Sequence, residues 1–248
     1  MTGGIIVKND QGLNQVSDFV KQDYDSFAQN GASTLCCSPS DTYTPEELVG
    51  IPRIVLELSS SCGSPTKGLA LFSEQTILDL GCGAGLDALL LARKLGTESL
   101  IIGVDASKNM MKVAKSAAGE AGILNAEFRL GDARNIPAQD HSVDVVISNC
   151  VVGMFPDKEK VFAEVHRVLK PGGYLVAIDT IYSQKSPESI DEITSDDWAA
   201  CIVMMSEKEY TMKLLSAGFD YVDVRDKLSV PYRDGNEITS AKIFAYKI

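Results

Sequence analysis

The chain is poor in features that mark several classes of protein. It has no apolar run of about eighteen residues, which a membrane-spanning helix needs, and its first residues lack the apolar stretch of a signal peptide. Lys and Arg number 23 against 34 Asp and Glu, and no basic patch offsets the net charge of -11. A strongly acidic chain repels nucleic-acid phosphates. We therefore expect a cytoplasmic protein that acts on a small molecule and binds neither nucleic acid nor membrane.

Histidine and cysteine are also sparse. Of the two histidines, His141 lies in a polar turn and His166 on a predicted helix, so we expect solvated or packing residues and no general base. Six cysteines in 248 residues are too few for a disulfide scaffold, which makes reduced thiols the default. Cys36 and Cys37 are adjacent, with Cα atoms about 3.8 Å apart. This is shorter than the usual disulfide span, so we expect at most one of them to join a shared site at a time.

Strands and helices alternate through the middle of the chain. Ser107 is a plausible helix N-cap, and Gly96 a plausible helix end. This alternation predicts a parallel, doubly wound α/β sheet. The predicted strands are residues 76–80, 100–105, 126–130, 143–148 and 174–178, and the predicted helices 87–95, one after Ser107, and 157–169, with a turn at 170–173.

The two ends of the chain differ from the middle. A helix over 16–29, ending near Gly31, precedes loops with one or two short helices over 35–73. A helix over 207–217 and two strands, 221–224 and 241–246, joined by a turn at 233–236, predict a closing antiparallel hairpin. The predicted organisation is a cap helix with cysteine-bearing loops (1–73), a cofactor-binding core (74–182), and an insertion (183–206) followed by the closing helix and strands of the same domain (to 248).

A glycine-rich loop follows the first core strand. Its sequence, Asp79-Leu80-Gly81-Cys82-Gly83-Ala84-Gly85, has the spacing G-x-G-x-G, whereas dinucleotide-binding loops have G-x-G-x-x-G. Asp79 would repel a pyrophosphate, so the loop favours a cationic cofactor. Asp105 ends the second predicted strand, where its carboxylate could accept hydrogen bonds from both ribose hydroxyls of a nucleoside cofactor. Asp132 ends the third, where it could meet the adenine edge of that cofactor.

These motifs, with Leu169-Lys170-Pro171-Gly172-Gly173, resemble the class I S-adenosylmethionine methyltransferases over residues 76–181. The resemblance implies a Rossmann-like, mostly parallel seven-stranded sheet with a final antiparallel strand, an N-terminal cap and a C-terminal insertion. A Rossmann dehydrogenase remains an alternative. The implied cofactor-binding residues are Asp79, Gly81, Cys82, Gly83, Asp105, Ala106, Met110, Gly131, Asp132, Ala133 and Asn149.

Cys150 closes the apolar run of the fourth strand, at the sheet edge where open α/β folds place their chemistry. The sequence around it, Asn149-Cys150-Val151-Val152, is no Asn-Pro-Pro-aromatic motif, which disfavours methylation of an amine on DNA or protein. Cys36-Cys37 and Cys201 flank the core on either side. Soft sulfur favours a soft substrate.

A closer resemblance covers nearly the whole chain. Cys36-Cys37, Ser61-Cys62-Gly63-Ser64-Pro65, Ser148-Asn149-Cys150-Val151, Pro156-Asp157-Lys158 and Ala200-Cys201-Ile202 are similar to the arsenite methyltransferase family. The resemblance implies that arsenite, or its thiol conjugate, is the substrate and S-adenosylmethionine the methyl donor. Cys150 and Cys201 would then bind trivalent arsenic together with Cys37 or Cys36.

The same resemblance implies an external thiol reductant of the thioredoxin or glutathione type and a role in detoxification, and we expect a monomer. The role of Cys62 stays open between structural, cofactor-covering and redox. Two other readings of the chain also stay open. One is a small-molecule C- or O-methyltransferase with incidental cysteines, since buried free cysteine is common. The other is a non-catalytic thiol protein that binds metal.

Overall fold

The computed structural model describes residues 5–6, 10–30, 39–60, 62–182, 192–193, 204–231 and 237–248. Two apolar cores lie on opposite faces of a central sheet, because successive residues of a strand point to opposite sides. Leu78 and Leu80 pack into one core and Ile77 into the other. The first core contains helix residues such as Phe162 and Leu214. The sheet is therefore covered by helices on both faces.

The elements keep chain order in their labels. The helices are α1 (Asp10–Asn30), α2 (Pro45–Leu48), α3 (Arg53–Glu57), α4 (Leu86–Leu95), α5 (Lys108–Glu120), α6 (Lys158–Val168) and α7 (Glu207–Ser216), with 3-10 turns η1 (Pro39–Asp41) and η2 (Val152–Met154). The strands are β1 (Ile5–Ile6), β2 (Thr76–Leu80), β3 (Leu100–Asp105), β4 (Ala126–Leu130), β5 (Val143–Asn149), β6 (Leu169–Tyr182), β7 (Glu192–Ile193), β8 (Met205–Ser206), β9 (Tyr221–Pro231) and β10 (Glu237–Tyr246).

The main sheet has the order β4-β3-β2-β5-β6-β10-β9. Its first five strands are parallel, and β10 runs antiparallel to both β6 and β9. The short β8 adds an eighth strand, parallel to the end of β6, and β1 pairs with β7 in a separate two-stranded sheet. The predicted seven-stranded, mostly parallel fold with a late antiparallel strand is confirmed, with β8 as an addition.

Two helix boundaries follow the predicted signals. Ser107 caps α5 by accepting a hydrogen bond from the backbone of Met110, and Gly96 ends α4 with a φ of 73°. Ser206 caps α7 in a capping box with Glu209. Helix α1 begins at Asp10, six residues before the predicted start at Val16. Gly31 and the predicted turn at 233–236 lie outside the described residues.

The predicted turn at 170–173 lies inside β6, which begins at Leu169. Its pairing with β5 shifts register there, so the extra residues form a bulge. Gly172 adopts a φ of 82°, and its N–H donates to the Lys247 carbonyl at 2.7 Å. The bulge is therefore bound to the last strand region and does not end β6. Strands β9 and β10 also extend well beyond their predicted cores.

No helix in the described ranges combines the length and the hydropathy that crossing a membrane requires.

Candidate active site

A cavity of about 380 Å³ opens where β2, β3 and β5 end. Open α/β sheets bind ligands at this edge. All of the predicted cofactor-binding residues line the cavity except Met110, which is fully buried in one of the apolar cores. The structure therefore brings the residues predicted at the strand ends together in one cavity.

The glycine loop forms the floor of the cavity. Gly81, Gly83 and Gly85 have φ values of 71°, 51° and 90°, which favour glycine. A Cβ atom on Gly81 would overlap the side chain of Val151, which follows Cys150. The loop and the turn after β5 therefore touch, and the site depends on their close approach.

Two buried carboxyl groups lie beside this loop. Asp79 is 3% exposed and accepts a backbone hydrogen bond from Ala88, but its Oδ2 has no partner within the described part of the chain. Burial, and then the charge of Asp87, raises the pKa of Asp79 well above its usual value. Asp87 accepts hydrogen bonds from the Tyr43 hydroxyl and from Asn149 Nδ2, and burial raises its pKa to about 6. A cation placed here would relieve both groups.

Asp105 holds the loop from the next strand. Its Oδ2 accepts the Gly83 N–H at 2.9 Å, and its Oδ1 accepts the Ser107 N–H at 2.8 Å. Burial raises the pKa of Asp105 above its usual value. The carboxylate thus joins the glycine loop to the start of α5 and still faces the cavity.

Asp132 is the more exposed acid of the set. Its carboxylate accepts two hydrogen bonds from the Arg134 side chain, at 2.9 and 2.7 Å, and this partner lowers the pKa of Asp132. Arg134 also lies over the Phe155 ring, 5.4 Å from its centroid. Asp132 therefore stays ionised. Through Arg134 it links the end of β4 to Phe155, which follows η2.

Cys82 lines the cavity as a buried, neutral thiol. Burial, and then the charge of Asp79, raises its thiol pKa well above the usual value. Its Sγ fills the space beside Gly103, where an added Cβ would lie 2.8 Å from the sulfur. The neutral thiol contributes shape to the glycine loop and offers no thiolate.

Helix α1 forms a wall of the cavity that its sequence did not reveal. Val20, Lys21 and Tyr24 line the cavity. Asp25 anchors the helix to the core, since its Oδ1 accepts the Ser107 hydroxyl at 2.5 Å and the Asn109 N–H at 3.2 Å. Tyr43 and Asp87 were also missed. Only Asp87 has a local signal in the sequence, since it is an acid two residues after the last glycine of the loop.

Cys150 stands at the edge of the cavity, directly after β5. It is 5% exposed and adopts a φ of 57°, in the left-handed region that non-glycine residues rarely occupy. Its N–H donates to the Ile178 carbonyl at 2.7 Å. The predicted thiol is therefore held by its backbone at the sheet edge.

The sulfur of Cys150 is paired with that of Cys62 in a disulfide, with the two Cα atoms 6.5 Å apart. The prediction that the cysteines are reduced thiols is therefore wrong for this pair. The loop of Cys62 is bound to the sheet, because Ser240 donates to the Cys62 carbonyl at 3.0 Å and Asn149 to the Gly63 carbonyl at 2.7 Å. Cys62, which the family resemblance does not include among the arsenic ligands, thus lies at the site.

The other predicted thiols, Cys36, Cys37 and Cys201, lie outside the described residues. Within the described ranges, no group of three or more His, Cys, Asp or Glu side chains is arranged to hold a metal ion. Neither histidine lines the cavity. His141 contacts the Leu169 carbonyl at 3.1 Å, and the His166 ring packs edge-on against Phe219 with centroids 5.3 Å apart, as expected for packing residues.

Known proteins resemble this chain over between two fifths and about three quarters of its length. The family model "Methyltransferase domain" matches residues 71–218. An arsenite methyltransferase of Halobacterium salinarum is 34% identical over 77% of this chain and 51% of that protein. A demethylmenaquinone methyltransferase of Listeria welshimeri is 38% identical over 42% of this chain and 44% of that protein.

Among solved structures, CrArsM, an arsenic (III) S-adenosylmethionine methyltransferase from Chlamydomonas reinhardtii, superposes with a TM-score of 0.72. It is 25% identical, and the match covers 82% of this chain and 73% of that one. The chain spans about half the length of the curated relatives it matches. It belongs to the methyltransferase domain family, and its fold is that of the class I S-adenosylmethionine-dependent methyltransferases.

Proposed function

We propose that the chain transfers a methyl group from S-adenosylmethionine to trivalent arsenic held by cysteine thiolates. The observation that carries the proposal is the position of Cys150, whose side chain lines the same cavity as the acids of the glycine loop. The names of the Halobacterium and Chlamydomonas relatives support arsenic as the acceptor.

The residues present fit this methyl donor. Asp79 and Asp87 offer two buried carboxyl groups to its ammonium group, and Oδ2 of Asp79, which has no partner among the described residues, is the acceptor that such a group would satisfy. Asp105 would accept hydrogen bonds from the ribose hydroxyls, and Asp132 and Ala133, which line the same cavity, would meet the adenine edge. When bound, S-adenosylmethionine supplies an electrophilic methyl carbon attached to a sulfonium.

The thiol side of the site needs a reductant. Two external thiols, from a thioredoxin- or glutathione-type partner, would become a disulfide and release Cys62 and Cys150 as thiols. Cys150 would then bind arsenic with Cys201 and with Cys36 or Cys37. Trivalent arsenic is thiophilic and carries a lone pair. That lone pair forms the new As–C bond, while the electron pair of the broken C–S bond stays on the donor's sulfur.

No general base is required, because arsenic in this complex attacks without losing a proton. This agrees with the position of both histidines away from the cavity. The protein would supply proximity and a site from which water is excluded.

A second candidate function is methylation of an organic small molecule at carbon or oxygen, with incidental cysteines. The demethylmenaquinone methyltransferase relative favours it, over a shorter stretch of the chain. The third reading, a non-catalytic thiol protein, gives no methyl transfer at all. The identity of the methyl acceptor, or the absence of methyl transfer, therefore discriminates among the three candidate functions.

The test is to incubate the protein with labelled S-adenosylmethionine, arsenite and a thiol reductant, and then to separate the arsenic species. We expect labelled methylarsenic. Cys150→Ser should abolish it, because oxygen is a poor ligand for soft arsenic, while calorimetry should show unchanged binding of S-adenosylmethionine. Full arsenite turnover by Cys150→Ser would reject the thiol mechanism in favour of incidental cysteines.

A further inference from the structure

A second buried polar cluster lies behind the turn that carries Cys150. Asp179 of β6, Tyr210 of α7 and Lys158 of α6 are 1%, 2% and 2% exposed, and none of them lines the cavity. Buried charged groups are retained only when they have partners. The partners of this cluster therefore indicate what it does.

The Asp179 carboxylate binds the backbone directly after Cys150. It accepts hydrogen bonds from the N–H groups of Val152 and Gly153, the latter at 3.4 Å, and from the Tyr210 hydroxyl at 2.8 Å. Lys158 supplies the compensating positive charge, and its Nζ donates to the Phe155 carbonyl. The cluster thus binds both ends of η2.

The Cys150 backbone needs such support. Its left-handed conformation is unfavourable for a side chain with a Cβ and persists only where the surroundings fix it. The Ile178 carbonyl fixes the N–H of Cys150, and the next residue of β6, Asp179, fixes the turn that follows. Two consecutive residues of one strand therefore hold the backbone at Cys150 and in the turn that follows it.

We propose that Asp179 is the positioning residue of Cys150: its carboxylate holds η2 so that the Cys150 sulfur faces both Cys62 and the cavity. Tyr210 and Lys158 hold that carboxylate in turn. This inference extends the proposed function, which makes Cys150 an arsenic ligand, but its test needs no arsenic.

The charge states agree with this role. Burial raises the pKa of Asp179 to about 6 and lowers the pKa of Lys158 to about 8. At pH 7 the first group is therefore mostly an acceptor-only carboxylate and the second mostly a cation. Burial also raises the pKa of Tyr210 well above its usual value, so its hydroxyl remains a donor.

The test measures how strongly Cys62 and Cys150 pair. The full-length protein is equilibrated in glutathione buffers of known ratio, where the disulfide and two glutathione thiols exchange with two protein thiols and oxidised glutathione. Free thiols are then alkylated, and peptide mass spectrometry gives the paired fraction. We expect Asp179→Ala to lower the equilibrium constant for pairing at least tenfold, because the turn is released.

Graded variants separate positioning from general damage. Asp179→Asn keeps an oxygen that can accept from the backbone, so it should retain most of the pairing. Tyr210→Phe removes one donor from the carboxylate and should weaken pairing about threefold, which provides a measurement if Asp179→Ala does not fold.

The matched control is Asp144→Ala. Asp144 lies on β5 and accepts from Thr76 N–H and from Lys170 Nζ, both at 2.8 Å, near the opposite end of the strand from Cys150. Its loss should leave the pairing unchanged. Wild-type pairing in both Asp179→Ala and Tyr210→Phe, or an equal loss in Asp144→Ala, would overturn the inference. Absence of arsenite methylation in the wild type would instead reject the proposed function alone.

Discussion

Two buried polar groups, one built on Asp179 and the other on the Asp79 and Asp87 pair, lie at the same edge of the sheet and differ in their partners. Asp179 is bound by two backbone N–H groups and a tyrosine hydroxyl, with a lysine cation nearby. Asp79 has one backbone partner and the like charge of Asp87 beside it, and its Oδ2 is unpartnered within the described residues. Burial raises the pKa of both groups. An acid whose oxygens all have partners therefore serves to hold the fold, whereas one with an unpartnered oxygen is suited to a cationic ligand.

The stability of the fold should change most when Asp179 is removed. Asp179→Ala leaves three buried donors, the Tyr210 hydroxyl and the N–H groups of Val152 and Gly153, without their acceptor. An unsatisfied buried donor costs about 1–3 kcal/mol, so the free energy of unfolding should fall by about 3–5 kcal/mol. Urea denaturation at pH 7 measures it. A loss below about 1 kcal/mol would mean that the cluster does not stabilise the fold.

The pH dependence of stability should reveal the raised acids. Because the folded-state pKa of Asp87 is about 6 against a usual 3.8, the folded chain binds more protons than the unfolded one between these values. Stability due to this group therefore falls as the pH rises from about 4 to 6, by about 3 kcal/mol. Asp87→Asn should remove that fall, measured as the difference between the two denaturation curves. Parallel curves would contradict the raised pKa.

Cofactor affinity should separate the two acid groups. Asp79→Asn removes the anion offered to the ammonium group, so S-adenosylmethionine should bind about 10- to 100-fold more weakly, corresponding to about 1.5–3 kcal/mol. Its stability at pH 8 should be unchanged or higher, because a poorly partnered buried acid is gone. Tyr210→Phe is the control and should change the affinity less than threefold. Equal affinities for Asp79→Asn and wild type would remove Asp79 from the binding site.

The smallest change is expected in the number of protons released when the cofactor binds. A bound cation lowers the pKa of neighbouring acids, so binding of S-adenosylmethionine at pH 6 should release protons from the Asp79 and Asp87 pair. Calorimetry in two buffers of different ionisation enthalpy counts them. Asp87→Asn should reduce the count, and Tyr210→Phe should leave it unchanged. Release that depends on Tyr210 would mean that the two groups are coupled.

The two groups also differ in how well their residues can be predicted from the sequence. Most of the parallel strands were predictable because they contain a short apolar run, and β4 because apolar and charged residues alternate in it. Asp105 and Asp132 were found because they lie at the ends of such strands. Asp179 lies inside the apolar run of β6, so no feature of the sequence marked it as part of a buried polar cluster. Lys158 was expected on a helix but not in the interior.

Contacts between distant segments could not be predicted from local spacing. Tyr43 meets Asp87 across 44 positions, Asp25 meets Ser107 across 82, and Cys62 meets Cys150 across 88. Each pair depends on how the cap docks onto the sheet. The site was therefore predicted where it follows strand ends and missed where the N-terminal segments close it.

The docking of α1 through Asp25 has a practical consequence for protein engineering. A truncated chain that begins at β2 would keep the glycine loop and Cys150 but lose Tyr24, Tyr43 and the Cys62 loop. It would also uncover apolar surface that Phe27 and Val55 now cover. Transplanting this site onto another scaffold therefore requires the cap and the sheet as one unit.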